Sequence, residues 1–468
     1  MASQLPEIEI QGVMKRFVCQ WLAVSSLFLA AVAPADTRPL YGGTLRITTY
    51  AAPGTLDPAD NRFPDSFARR SVTALLFDTL VTLDDAGHAR PRLAASWQGT
   101  KANQRWQFRL QPGVKFHDGT SMSSEVAAAS LRFANPEWIV RADGESVIID
   151  CDQPHPEMLA EVALSRNAIV KRDGEDKVSG TGPFHIVDWQ SGKRLTLRAE
   201  EDCWRGRPFV DRVEIEMGRS FRDQATALQI GKADVIEVAP EQSHHFSPAT
   251  GKLLSSAPVE LMALVFTREV SSPDEKLLRE ALGLSVERES IHSVLLQGAG
   301  QASGSLLPTW ISGYGFVFSS QVELQKARQL RAQVPTTRIW TIGYDGNDPL
   351  ARLLVDRIAL NAKDAGLSLV PTAVGSSDLR LVRIPLASPD PWVALEAIAA
   401  QTNLPRAQNK GSSVDEFYLT EQTALASQRV VPLFHLPVFY AAGLNLREWT
   451  VRTDGSMDLD TAWLGAAK

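Results

Sequence analysis

Apolar and polar residues alternate between residues 105 and 116 as they do in half-buried β-strands. A turn at Pro112-Gly113 interrupts the alternation, so the pattern predicts two strands joined as a hairpin. The alternating apolar positions are Trp106, Phe108, Leu110, Val114 and Phe116.

A helix is predicted directly after this hairpin. Asp118-Gly119 makes a further turn, and Ser123 is a residue type that caps helix N-termini. Glu125 would place a negative charge in the first turn, where it suits the helix dipole. The apolar side of this helix is expected at Val126, Leu131 and Phe133.

The second half of the chain carries a β-α-β pattern. Residues 338–344 and 367–374 are strand-like, and Asp348-Pro349 opens a helix between them. Gly366 can end that helix in a left-handed conformation. The unit predicts two parallel strands joined by a right-handed crossover, which is typical of α/β folds.

Composition and charge favour a folded domain protein that has no nucleic acid partner. The chain has 468 residues, of which 44% are hydrophobic and 22% charged, and this length indicates about two or three domains. A net charge of -6 without long Lys/Arg runs argues against phosphate binding. His244-His245 lacks further ligands at metal spacing, so we predict neither a metal nor another cofactor.

The N-terminus has the pattern of a secretory signal. Lys15-Arg16 precede an apolar run over 17–32, and Ala33-Pro34-Ala35 fits the small-x-small cleavage rule. We therefore expect cleavage after Ala35 and a periplasmic protein, with Met14 as the natural start. Cys19 lacks the preceding residues of a lipid-attachment motif, so no lipid anchor is predicted.

Two cysteines, Cys151 and Cys203, remain after removal of this segment. An even number in an oxidising compartment allows one disulfide. Two buried thiols on separate elements are the alternative, and the sequence leaves both open.

Several segments, in order along the chain, resemble the family 5 extracellular solute-binding proteins. These proteins are the peptide, oligopeptide and nickel receptors of ABC importers. The matching segments are Gly42–Ile47, Leu76–Trp97, Trp106–Val126, Gly180–Phe184, Cys203–Pro208, Gln229–Val235 and Leu278–Leu282.

The resemblance implies an α/β, two-lobed periplasmic binding protein fold with a hinge and an inserted α+β subdomain in the N-terminal lobe. The chain would cross between the lobes near 264–267 and 431–437. The implied boundaries are 1–35 for the N-terminal extension and signal peptide; 36–55, 180–265 and 435–468 for lobe I; 56–179 for the subdomain; and 266–434 for lobe II.

The resemblance also implies a function without catalysis. Such a receptor closes on a small ligand in the inter-lobe cleft and presents it, as a monomer, to the permease of an ABC transporter. Two alternatives remain: a ligand-sensing or partner-binding module that has lost transport, and a secreted hydrolase. The sequence has no Gly-x-Ser-x-Gly and no His-Glu-x-x-His motif to support a hydrolase.

One departure from the family bears on the ligand. Peptide-binding members carry a Trp-x-x-Asp motif whose Asp neutralises the peptide α-ammonium. Alignment on Asp390-Pro391 places Ile384 and Ala387 at these positions. Either the ligand, whether peptide-like or oligosaccharide-like, is neutral or anionic and lacks a free α-amine, or Asp378 or Asp390 replaces the missing carboxylate.

The ligand-binding residues predicted near the expected cleft are of three kinds. Aromatic rings could stack on the ligand, Arg383 could bind a carboxylate with its planar fork, and Asp390 could supply a charge. For each aromatic, packing in the core is favoured over the pocket by roughly two to one, since apolar residues are mostly packing. The aromatic candidates are Phe63, Trp310, Tyr314 and Trp392.

Overall fold

The computed structural model describes residues 38–100, 102–174, 177–313, 318–336, 338–407 and 413–465. The predicted signal and its cleavage site at Ala35, like Tyr314, lie outside the described residues. The helices of the described part are α1 (Phe67–Leu76), α2 (Ser124–Ala134), α3 (Met158–Val162), α4 (Phe221–Gln229), α5 (Pro273–Ser285), α6 (Arg288–Val294), α7 (Thr309–Ser312), α8 (Leu324–Ala332), α9 (Pro349–Asp364), α10 (Pro391–Thr402) and α11 (Val414–Ala426).

Strands occur throughout the described chain. In the first half they are β1 (Thr44–Thr48), β2 (Val81–Leu83), β3 (Ala89–Pro91), β4 (Ala94–Gly99), β5 (Arg105–Leu110), β6 (Ile139–Asp143), β7 (Ser146–Asp150), β8 (Lys171–Arg172), β9 (Val178–Ser179), β10 (Phe184–Gln190), β11 (Arg194–Ala199), β12 (Arg212–Glu216) and β13 (Val235–Val238). The later strands are β14 (Lys252–Phe266), β15 (Gln301–Ala302), β16 (Ile339–Gly343), β17 (Ser368–Thr372), β18 (Leu379–Pro385), β19 (Val430–Ala442), β20 (Leu446–Arg447), β21 (Thr450–Val451), β22 (Met457–Asp458) and β23 (Trp463–Leu464).

One large sheet connects both halves of the described chain. Its order is β10-β11-β12-β1-β13-β19-β14-β18-β16-β17, and β15 pairs with β19 beside this path. β1 is parallel to β12 and β13, and β16 is parallel to β17 and β18. The long antiparallel strands β14 and β19 therefore join two parallel groups.

β14 pairs with β19 along nearly its whole length and gains a second partner, β18, part of the way along. Its first residues pair with the part of β19 that also contacts β13, and from Glu260 onward it pairs with β18. The change falls between Ser255 and Glu260, where the register shifts twice and Pro258 lies opposite Pro437. Because proline has no N–H, the ladder is interrupted on both strands at this point.

The two groups of parallel strands are connected through this interrupted part of the β14–β19 ladder. This part lies upstream of the segment 264–267 predicted for the first crossing, and Pro437 falls at the end of the predicted second crossing, 431–437. The domain boundaries implied by the resemblance stay a prediction.

Three buried regions organise the molecule. The first core combines β1, β10–β13 and α1 with the C-terminal segment 446–462. A subdomain core combines β4–β7 with α2. The second core lies on both faces of β14, because successive side chains of a strand point to opposite faces: Met262 and Leu264 pack on one face, Leu261 and Ala263 on the other.

The local predictions are confirmed in part. β5 and α2 form as expected, and the Ser123 hydroxyl accepts a hydrogen bond from the Val126 amide at 3.4 Å. The prediction of a second hairpin strand is wrong. Val114 and Phe116 are buried as expected, but their segment forms no strand and makes only one isolated bridge, between Lys115 and Ser121.

The two parallel strands and the intervening helix of the β-α-β prediction are confirmed. β16 and β17 are parallel, α9 lies between them, and the Asp348 carboxylate caps α9. Gly366 adopts a φ of 78° just beyond the helix, in the left-handed region that glycine tolerates.

In the described part of the chain no helix is both long and apolar enough to cross a bilayer.

Candidate functional site

A cavity of about 400 Å³ lies where three segments of the chain meet. One wall comes from β2 and the α3 region, the second from the loop between β18 and α10, and the third from the hairpin of β21 and β22. The lining residues are Thr82, Leu83, Asp85, Ala160, Ala163, Leu164, Ser165, Ala387, Ser388, Pro389 and Thr450–Asp454.

Local interactions shape each wall. The hairpin turns tightly, since the Gly455 amide donates to the Arg452 carbonyl at 2.9 Å and the Arg452 amide donates to the Ser456 carbonyl at 2.8 Å. The loop after β18 ends where Asp390 begins α10. A small apolar cluster, which includes Leu164 and Ala387, joins the first two walls.

The lining combines hydroxyl groups with small apolar side chains, and its charges are largely engaged. Arg452 pairs with Asp458 at 3.2 Å and with Asp460 at 3.5 Å. The Asp454 carboxylate accepts hydrogen bonds from the amide and hydroxyl of Ser456. None of the described residues that line the cavity is aromatic.

Ala387, the residue aligned with the family's ammonium-binding Asp, lies in the cavity wall. The two acids that could replace that Asp are both engaged elsewhere. Asp378 accepts hydrogen bonds from the amide and hydroxyl of Thr341 at 2.9 Å and pairs with Arg268. Asp378 precedes β18 and Ala387 follows it, so roughly 23 Å of extended chain separates them.

Asp390 is a helix cap. Its Oδ1 accepts hydrogen bonds from the amides of Trp392 at 3.0 Å and Val393 at 3.1 Å. Burial raises the pKa of Asp390, and the nearby carboxylates of Glu157 and Glu161 add to this rise. A neighbourhood with three acids explains the direction, since like charges disfavour ionisation.

Arg383 already has carboxylate partners. Its Nε and Nη2 donate to Oε2 of Glu260 at 2.8 and 2.6 Å, and its Nη1 lies 3.9 Å from Oδ2 of Asp348. The fork that could bind a ligand carboxylate is therefore occupied by Glu260 in this structure.

Two polar residues, Tyr50 after β1 and Glu237 in β13, lie near Arg383. Burial, together with the nearby carboxylates of Asp345 and Asp348, raises the pKa of Tyr50 to about 12. Burial also raises the pKa of Glu237, whose carboxylate accepts from the Tyr50 amide, to about 7. The Tyr50 hydroxyl is buried without a hydrogen-bond partner among the described residues.

The sequence analysis did not predict these polar residues, although the position of each one near the end of a strand can be read from the sequence. Tyr50 and Asp348 lie shortly after β1 and β16, and Glu237 is the next-to-last residue of β13. All three are therefore near the carboxyl ends of parallel strands, at the edge where ligands of α/β sheets bind. Their common location at that edge depends on the sheet order, which local patterns do not reveal.

The aromatic candidates lie in separate surroundings. The Phe63 ring packs on Gly54, and the Trp310 indole donates to the Pro258 carbonyl at 2.8 Å beside the interrupted ladder. Trp392 is only 8% exposed and packs edge-on against Phe417 in the second core. None of these rings lines the cavity, and their part in binding stays a prediction.

The possible disulfide between Cys151 and Cys203 is not formed, because both cysteines are free thiols. Cys151 follows β7 and packs on the subdomain core, whereas Cys203 lies in a turn after β11. Burial raises the pKa of both thiols, that of Cys151 to about 11. This corresponds to the alternative of two thiols on separate elements.

No group of three or more His, Cys, Asp or Glu side chains within the described ranges could hold a metal ion.

The chain belongs to the bacterial extracellular solute-binding proteins, family 5, whose family model matches residues 88–400. It is 22% identical over 312 residues to the nickel-binding protein NikA of Staphylococcus aureus, covering 62% of this chain and 63% of that protein. It is 23% identical over 371 residues to the probable D,D-dipeptide-binding periplasmic protein DdpA of Escherichia coli, covering 72% and 71%. The alignment with NikA thus spans less than two thirds of that relative.

Solved structures show the same fold. The murein tripeptide binding protein MppA of Escherichia coli matches with a TM-score of 0.80 at 14% identity, covering 92% of this chain and 100% of that chain. The binding protein AgaA in complex with agropinic acid, from A. tumefaciens R10, matches with a TM-score of 0.76 at 18% identity, covering 91% and 99%. The architecture is therefore the two-lobed α/β fold of periplasmic binding proteins, and the relatives are binding proteins rather than enzymes.

Proposed function

We propose that this protein is the periplasmic substrate-binding protein of an ABC importer and that it closes on a small ligand without a free α-amine. The family membership supports the receptor role. Export through a signal cleaved after Ala35, and delivery to a permease by a monomer, belong to the same proposal.

The cavity supports a small ligand. Its volume of about 400 Å³ lies within the range of roughly 300 to 1,000 Å³ that is typical of small-molecule sites. Hydroxyl groups from all three walls offer hydrogen bonds to a neutral polar ligand, and the second wall comes from a different core than the third. A ligand there would contact both halves, which is how a ligand stabilises a closed form.

The observation that carries the ligand class is Ala387 in the cavity wall. An ammonium enclosed beside Ala387 would lack the carboxylate that the family supplies at that position, and an unpaired buried charge is unfavourable by on the order of several kcal/mol. The lining has two other carboxylates, Asp85 on the first wall and Asp454 on the third, and Asp454 already accepts hydrogen bonds from Ser456. Asp378 and Asp390 hold other hydrogen-bond donors, as described above, so neither is placed to compensate.

A thermal-shift comparison of matched ligands tests this proposal. Short peptides would be measured as free peptides and as N-acetylated amides of the same sequence, with neutral oligosaccharides and amino-acid conjugates beside them. A ligand at about 100 times its Kd adds roughly 2.7 kcal/mol of stability, which gives a clear shift. We expect shifts only with ligands that lack an α-amine.

Ala387→Asp provides the reciprocal test. It should create affinity for free peptides, and Ala387→Ser, which is polar but uncharged, should not. Equal shifts with free and blocked peptides in the wild-type protein would contradict the proposed ligand class.

A further inference from the structure

Arg70 on α1 is a buried arginine with every donor engaged. Its side chain is 3% exposed, and a guanidinium has five N–H donors. Five hydrogen bonds use them: two to the Asp65 carboxylate, and one each to the carbonyls of Pro385, Leu386 and Asp454.

The acceptors of Arg70 belong to both halves of the molecule. α1 packs in the first core, and Asp454 lies in the hairpin whose strand β22 packs there too. Pro385 ends β18 and Leu386 packs in the second core. Nη1 alone bridges the halves, since it donates to Leu386 at 2.8 Å and to Asp454 at 2.6 Å.

The same acceptors border the cavity. Asp454 is part of its lining, and Leu386 directly precedes Ala387. The second and third walls are thus held at a fixed separation by one planar group. Lysine could not replace it, because an ammonium has three donors and lacks the fixed fork.

We propose that Arg70 is a positioning residue that holds these two cavity walls together and favours the closed arrangement of the lobes before any ligand binds. Pro385 pairs with Glu260, two residues beyond Pro258, and Leu386 directly follows it, so motion at that interruption moves both relative to α1. Opening would then break the bonds from Arg70 to the second core while its pair with Asp65 remains.

Arg69, the neighbouring residue, supplies a matched control. It is also buried, at 8% exposure, and also donates to several carbonyls. Its acceptors, however, all lie in the loop just before α1, at Asp57, Pro58, Asp60, Phe63 and Pro64. Removing Arg69 therefore removes a buried guanidinium without removing a bond to the second core.

Pulsed EPR distance measurement on the ligand-free protein tests the proposal. Spin labels would be placed at the exposed positions Lys232 and Lys363, one beside β13 and one on α9, with Cys151 and Cys203 replaced by serine in the chain that starts at Asp36. Arg70→Met should raise the population of the open form relative to the closed form about tenfold, as read from the distance distribution, which corresponds to about 1.4 kcal/mol. Arg70→Lys should raise it in the same direction, and Arg69→Met should leave it at the wild-type value.

The outcomes separate positioning from general stability. Circular dichroism would establish that each variant is folded, and Arg70→Lys carries the test if Arg70→Met is not. A wild-type distance distribution in the folded Arg70 variant would overturn the proposal, as would an equal change in Arg69→Met. Because no ligand is added, failure of the ligand screen would leave this result unaffected.

Discussion

At the scale of single residues, Glu421 shows how burial sets a chemical property. Its side chain is fully buried on α11, and its Oε1 accepts hydrogen bonds from the amides of Leu306 and Leu307. Its Oε2 has no hydrogen-bond partner within the described part of the chain. Burial raises the pKa of this carboxyl from 4.5 to about 7.

We predict that this carboxyl makes the protein less stable as pH rises from about 4.5 to about 7. In that range the unfolded chain releases the proton and the folded chain keeps it, so unfolding becomes easier with each unit of pH. Glu421→Gln mimics the protonated form, and its stability relative to wild type should rise by on the order of 2 to 3 kcal/mol between pH 5 and pH 8. Urea unfolding at both pH values measures this difference.

The exposed Glu137→Gln serves as the control for that comparison. A gain from Glu421→Gln that is the same at pH 5 and pH 8 would show that Glu421 does not titrate in this range. Burial also raises the pKa of Glu237 to about 7. Because Glu237 is present in every variant, its contribution to the pH dependence cancels when variant and wild type are compared.

At the scale of elements, α10 depends on a residue whose sequence context suggested a ligand contact. Asp390 follows Ser388-Pro389 in the cavity loop, yet its carboxylate is directed to the first amides of α10. The sequence could not separate these two roles, because Asp before Pro suits both a cap and a binding loop.

We predict that Asp390→Ala lowers the unfolding free energy by about 1 kcal/mol, because it leaves the first amides of α10 without their acceptor. Asp390→Asn should have little effect, since asparagine caps helices about as well and removes a charge near Glu157 and Glu161. Thermal and urea unfolding measure both variants. Equal losses in the two variants would show that the charge, and not the cap, is what matters.

At the scale of the whole molecule, the C-terminal segment completes the first core. Its apolar residues pack with β1, β11 and α1, which are hundreds of residues earlier in the sequence. The Asp460 carboxylate adds ion pairs to Arg205 at 2.6 Å and to Arg92 at 3.3 Å. The buried apolar residues of this segment are Leu446, Trp449, Met457, Leu459 and Ala462.

We predict that a chain ending at Gly443 does not unfold cooperatively, because the first core loses this entire segment. A single large-to-small change at a buried site costs about 2 to 5 kcal/mol, so the summed loss exceeds the usual stability of a domain. A chain ending at Gly465 keeps all of these contacts and is the control. Calorimetry on both would decide, and a wild-type melting curve for the shorter chain would contradict the prediction.

The sequence by itself determined the elements that depend on neighbouring residues, and with them the family. The alternation over Arg105–Leu110, the Ser123 cap and the β-α-β unit around α9 are encoded within short windows, since periodicity and turn chemistry act locally. The prediction of a strand at Val114 was wrong because a strand needs both burial of its apolar side chains and a hydrogen-bonded partner. Val114 is buried, but its segment has only an isolated bridge.

The tertiary structure decided which side chains meet. Arg70 binds Leu386 across 316 positions of sequence, Arg383 is engaged by Glu260, and Trp392 packs in the second core instead of lining the cavity. The interruption at Pro258 and Pro437 is likewise set by strand order. Contacts between residues this far apart leave no pattern in any local window, so only the folded chain reveals them.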